Sequence, residues 1–193
     1  MKLPNIKILD EKDSRLKTVS KEVEFPLTKE DLKLIDDALL YLEMSQIEEQ
    51  REKYHLRAGM GLSFIQLGIP KRIFVISEEL EDNKFKRYVI INPIVKSKSE
   101  ELVYVAEGEG CLSVNRPVEG IVPRHARITI EAYNEDGELY TIRVREDMAI
   151  AFQHELDHLD GILFFDHIDP KKPFKNRESM REIWTNISFF IVK

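Results

Sequence analysis

Met148-Ala149-Ile150-Ala151-Phe152-Gln153-His154-Glu155-Leu156-Asp157-His158-Leu159 is the most apolar run of the chain, and it carries two histidines four positions apart. On a helix, such positions differ by about 40° in direction, so both imidazoles leave one face. Two ring nitrogens so placed can share an ion. Glu155, beside them, can handle the proton of an attacking water. A hydrogen-bonded polar stripe is the plainer reading of the same residues. Against it stands the apolar setting, where charged groups are costly unless paired or ligating. The run reads as a buried helix, Met148 to Leu159, capped by Asp147. Gly161 suits the left-handed position after its C-terminus.

Outward from this helix, the centre of the chain has strand character. Arg72–Ser77 and Arg87–Ile91 are short β-branched runs, the second ended by Pro93, and Leu102–Ala106 alternates apolar and aromatic residues. Arg127–Tyr133 and Leu139–Val144 flank Asn134-Glu135-Asp136-Gly137, a turn signal, and read as a hairpin. Ile162–Ile168 is expected as a strand or extended segment. Toward the N-terminus, Thr28 has the character of an N-cap. Leu32, Ile35, Leu39 and Leu42 follow at steps of 3, 4 and 3, one face of an amphipathic helix running to about Glu52. Residues 1–27 read as an irregular, partly extended arm, and residues 181–193 receive no assignment. Helices and strands do not alternate regularly. The expected class is α+β: antiparallel sheets around a central buried helix that carries the His-Glu-x-x-His run.

A metal site needs a third ligand. Downstream, Asp160, Asp166, His167 and Asp169 miss the spacing at which many metallopeptidases place theirs, which directs attention upstream. The candidate there is Cys111, in the loop Gly108-Glu109-Gly110-Cys111-Leu112-Ser113. Its glycines let backbone approach a ligand closely. A lone buried cysteine is usually a small hydrophobe, and only the company of the two histidines argues otherwise.

Three separated segments together resemble the peptide deformylases. Gly59-Met60-Gly61-Leu62-Ser63-Phe64-Ile65-Gln66 is similar to the family's Gly-φ-Gly-φ-Ala-Ala-x-Gln. Glu109-Gly110-Cys111-Leu112-Ser113 fits Glu-Gly-Cys-φ-Ser, and Gln153-His154-Glu155-Leu156-Asp157-His158 fits Gln-His-Glu-φ-Asp-His. Tyr54-His55-Leu56-Arg57 and the stretch from Arg124 to Ile130 resemble the type 2 bacterial branch. The departure is Ser63-Phe64-Ile65, which puts a bulky Phe where the family has Ala and bears on the packing behind the site.

The resemblance implies that Cys111, His154 and His158 ligate one Fe²⁺, for which Zn²⁺, Ni²⁺ or Co²⁺ can substitute. It implies Glu155 as acid/base, with the Gln66 amide and the Leu112 N–H holding the oxyanion. The substrate would be an N-formyl-methionyl peptide, lying extended beside Gly61 and Gly110 near Gly59. Met60, Ile150 and Ala151 would wall the methionine pocket. Formate would be released during synthesis of nascent chains, with transient association near the ribosome exit. His55, His125 and His167 are expected to be structural or on the surface. Arg57 and Arg124 could support either the bound peptide or the fold. The rivals are a zincin-like metallopeptidase using the same helix, which needs a downstream ligand, and a non-catalytic relative, against which the intact site residues argue.

Composition restricts the remaining classes. The chain has 193 residues and a formal charge of 29 − 35 = −6, so nothing draws it to nucleic acid or anionic lipid in bulk. One cysteine excludes an intrachain disulfide. The N-terminus has no signal-like apolar run, and Phe189–Val192 is too short to span a bilayer. A single catalytic domain over residues 1–193, monomeric and cytoplasmic, without membrane partners and without nucleic acid as substrate, is expected.

Overall fold

The computed structural model describes residues 2–184, with the side chain of residue 82 excepted. The class is α+β, with three α-helices, a five-stranded antiparallel sheet and a three-stranded sheet among the described residues.

The larger sheet has the order β1-β2-β3-β6-β7, formed by β1 (Gly61–Ser63), β2 (Ile73–Glu79), β3 (Phe85–Lys98), β6 (Arg127–Tyr133) and β7 (Leu139–Arg145). The smaller has the order β5-β4-β8, from β4 (Leu102–Val105), β5 (Arg124–His125) and β8 (Arg181–Ile183). Strand periodicity explains how the larger sheet is sandwiched. In β2, Phe74 and Ile76 join the core on one face, while Ile73 and Val75 join the core on the other. The first face packs on helix α3 (Glu146–Leu159) through Ile150 and Phe152, and the same core takes in Val103, Val105 and Ile183 of the smaller sheet. The second face packs on helix α1 (Lys29–Gln46) through Ile35, Ala38, Leu39 and Leu42. Phe64 lies in this second core, fully buried. The bulk that replaces alanine there fills space against α1, on the side of the sheet away from α3.

The hairpin pairs Tyr133 with Leu139 and Arg127 with Arg145. Asn134 Oδ1 accepts from the Asp136 and Glu138 N–H groups and shapes the turn. Thr28 caps α1 by accepting from the Asp31 N–H at 3.1 Å. Gly161, at φ 74°, takes the left-handed position after α3.

Five expectations are corrected. The amphipathic helix does not run to Glu52: Ile47 is extended, and a separate helix α2 spans Glu48–Tyr54. The break lets Gln46 turn inward and donate to the carbonyls of Gly59 and Ser77. Leu32, counted on the buried face, is exposed. Strand β3 continues through Pro93, because a register shift between Ile91 and Ile94 absorbs the missing N–H. Asp147 does not cap α3. Arg145 occupies that position and the helix begins at Glu146, whose φ is 53°. Ile162–Ile168 is not a strand but contains a 3₁₀ turn, Phe164–His167. In addition, β4 and β8 pair in parallel, so the smaller sheet is mixed rather than antiparallel. A parallel partner requires a long crossover, and residues 106–180 supply it. The unassigned segment is described as far as Trp184, and its remainder lies outside the described residues.

Candidate metal centre

Helix α3 brings His154 and His158 to one face, their rings 4.9 Å apart at nearly right angles. The loop after β4 brings Cys111 against them, with Sγ 3.3 Å from His158 Nε2. One ligand atom from each of the three lies within 4.8 Å of the others, and all three side chains are buried. Ligand bonds of about 2.0–2.3 Å would set such atoms roughly 3.3–3.8 Å apart. The donor set therefore fits a divalent transition metal. Among the described residues no downstream carboxylate or histidine joins the cluster. Asp166 and His167 are engaged elsewhere, with Lys17 and Asp157, so the ligand that a zincin-like peptidase needs is not found.

A second set of groups holds the histidine. His154 Nδ1 lies 3.0 Å from Glu109 Oε2. An ionised carboxylate only accepts, so Nδ1 carries the proton and Nε2 is left as the ligand atom. Glu109 in turn accepts two bonds from Arg124, at 2.7 and 2.9 Å, and Arg124 also donates to Asp157 at 2.6 Å. Burial pushes the Glu109 carboxyl up, but Arg124 and His154 outweigh it and hold it at about 2. Burial likewise pushes the Cys111 thiol up. The two imidazoles reverse this and hold it well below its ordinary value, which favours the thiolate that ligates metals.

Glu155 stands beside the cluster, buried, with its carboxyl raised by burial against the opposing pull of His158, His154 and Ser63. Ser63 Oγ donates to Glu155 Oε2 at 2.7 Å. Gln66 is placed by the 3₁₀ turn Phe64–Leu67. Its Oε1 accepts from the Ser63 N–H, and its Nε2 donates to Ser113 Oγ and approaches Cys111 Sγ at 3.6 Å. The Leu112 N–H donates to no group among the described residues.

A cleft opens over the cluster. Gly59, Met60 and Gly61 form one wall, and Gly110, Cys111 and Leu112 another. Gln66, Ala151, His154 and Glu155 complete it. Of the site residues proposed from the sequence, His158 and Ile150 do not line it: His158 is buried beneath, against Cys111 and His154, and Ile150 is fully buried in the core that also holds Met60 and Ala151. Sequence reasoning missed Ser63 as a partner of Glu155, and it assigned Glu109 and Asp157 no role. Glu109 and Asp157 sit inside the quoted motifs, and a carboxylate beside a metal-binding residue is the signal that could have found them.

The described residues contain no helix long and apolar enough to cross a membrane. The family model of polypeptide deformylase matches residues 6–174. A peptide deformylase of Oceanobacillus iheyensis is 48% identical over 161 residues, covering 83% of this chain and 88% of that protein. One of Macrococcus caseolyticus is 49% identical over 163 residues, with 83% and 88% covered. In three dimensions the chain is similar to a plant peptide deformylase, with a TM-score of 0.73 at 28% identity, covering 91% of this chain and 86% of that one. The peptide deformylase of Thermus thermophilus gives a TM-score of 0.67 at 34% identity, with 86% and 87% covered. Likeness of this extent, in sequence as in fold, makes the chain a member of the polypeptide deformylase family and a hydrolase.

Proposed function

We propose that this hydrolase removes the formyl group from the N-terminal formyl-methionine of nascent polypeptides and releases formate. The observation that carries the reading is the convergence of Cys111, His154 and His158 at a cleft that Cys111, His154 and a buried Glu155 line. These three side chains would hold one ion, Fe²⁺ in the cell, with Zn²⁺, Ni²⁺ or Co²⁺ as substitutes. The ion would supply Lewis acidity, which activates water at neutral pH and polarises the carbonyl.

The chain's own residues do the rest. Glu155 takes a proton from the attacking water and delivers it to the leaving amine nitrogen, as its raised carboxyl suits. Ser63 keeps that carboxyl fixed. The Leu112 N–H, without another acceptor among the described residues, and the Gln66 amide donate to the oxyanion. The peptide lies extended between Gly61 and Gly110. Strand β1 is an edge strand of its sheet, so its free side can take an added strand. Met60 and Ala151 wall the methionine pocket, with Ile150 behind them. The chain acts as one catalytic domain, a cytoplasmic monomer that meets formylated chains near the ribosome exit.

The test is formate release from a formyl-Met peptide by anaerobically prepared Fe²⁺ protein. Turnover is expected, and a metal-loaded protein that releases no formate overturns the reading. Glu155→Ala should keep its ion but lose turnover by about 100-fold or more. Retention of most activity would remove the acid/base role.

A further inference from the structure

Arg57 follows α2 and is remote in sequence from the Cys111 loop, yet its guanidinium donates to four residues of that loop. Its Nη2 donates to the carbonyls of Cys111 and Val114, both at 2.9 Å. Its Nη1 donates to the Leu112 carbonyl at 3.1 Å and to Asn115 Oδ1 at 2.5 Å. A trans peptide carries its C=O and N–H on opposite sides. Two consecutive carbonyls held on Arg57 therefore send two consecutive N–H groups the other way. The second of these is seen directly: the Leu112 carbonyl meets Arg57, and the N–H of the same peptide, that of Ser113, donates to Cys111 Sγ at 3.4 Å. The first peptide obeys the same rule. The Cys111 carbonyl meets Arg57 and also accepts from the Val114 N–H at 3.0 Å, closing the turn that Arg57 braces, and the Leu112 N–H points away from both, with no acceptor among the described residues and Leu112 lining the cleft. Successive N–H groups aimed at one place form a concavity for negative charge.

We infer that Arg57 is a positioning residue that aims the Leu112 N–H at the oxyanion and the Ser113 N–H at the Cys111 sulfur. The inference rests on the deformylase reading for the use of the Leu112 N–H, and on geometry alone for the Ser113 contact. A planar fork reaching three carbonyls is suited to this task. An ammonium, a point donor on a flexible stem, reproduces it only in part.

The test compares Arg57→Ala and Arg57→Lys with the parent, each loaded with Zn²⁺, by steady-state hydrolysis of a formyl-Met-Ala peptide and by amide hydrogen exchange at Ser113. Loss of one oxyanion donor costs about 100–1000-fold in kcat, and misaiming one should cost at least about tenfold. The alanine variant should show that loss in kcat with KM within about twofold, one ion per chain, and faster Ser113 exchange. The lysine variant should recover part of both. Unchanged kcat with unchanged Ser113 exchange overturns the inference. So does a loss in both variants that only tracks lost metal or unfolded protein. If the alanine variant does not fold, the lysine variant decides by the same two readouts. A parent that turns over beside an unaffected variant refutes the role of Arg57 alone. A parent that releases no formate refutes the deformylase reading, and Ser113 exchange still tests Arg57.

Discussion

Gly61 lacks a side chain where Glu155 occupies the space. A Cβ placed there would lie 2.4 Å from Glu155 Oε1. Gly61→Ala should displace the carboxylate from its bond with Ser63 while leaving the three candidate ligands in place. We expect at least about a tenfold fall in kcat with metal content unchanged, measured by formate release and metal analysis. Loss of metal in step with activity would mean that the whole cluster had shifted. At this scale the sequence was readable where partners are near neighbours. His154, Glu155 and His158 announce themselves by spacing on one helix. Ser63 and Arg57 do not, because their partners lie 92 and 55 positions away. No local pattern brings such pairs together. Cys111 is intermediate, since a lone cysteine carries no signal of its own and gained one only from the motif around it.

Helix α1 shows what one capping element contributes. Asp31 accepts from Thr28 Oγ1 at 2.9 Å and from Lys71 Nζ at 2.6 Å, which ties the first turn of the helix to the approach to β2. Burial pushes the Asp31 carboxyl up, but Lys71 and Thr28 prevail and lower it below its ordinary value of 3.8. A folded-state carboxyl lowered in this way adds stability above the unfolded value. That stability is lost as pH falls from about 3.8 toward the lower, folded value. Asp31→Asn should cost about 1.5–3 kcal/mol at neutral pH. The difference from the parent should shrink below pH 3.8, followed by urea unfolding across that range. A difference constant with pH would exclude the ion pair as its source. The elements themselves were legible where periodicity meets one buried face, as in the hairpin β6–β7. They were illegible where tertiary contacts override local rules. Pro93 stays inside β3 because a bulge accommodates it. Ile47 breaks the helix because Gln46 has acceptors inside the protein. Asp147 does not cap because α3 starts two residues earlier than its cap would require.

For the molecule as a whole, the candidate ion joins α3 to the loop that follows β4. A ligand that binds only the folded state stabilises it in proportion to the logarithm of its concentration over Kd, about 2.7 kcal/mol at a hundredfold excess. Stripping the ion with a chelator should therefore lower Tm measurably, and replacing it should restore Tm. An unchanged Tm would separate the cluster from the stability of the fold. The α+β class was open to sequence reading because it needs only the order and type of elements. The mixed smaller sheet was not, since β8 is three residues long and its partner β4 lies before the whole Cys111 loop and α3.

That late pairing has a temporal consequence. During synthesis, β4 emerges before β8, with residues 106–180 between them. Until Arg181–Ile183 leave the exit tunnel, one edge of β4 has no strand beside it, and the thiol-bearing loop hangs from a half-built support. Both histidines and the cysteine are therefore synthesised before the strand that closes the sheet beside their loop. The strand that completes the smaller sheet, among the described residues, is thus made after every residue of the candidate site.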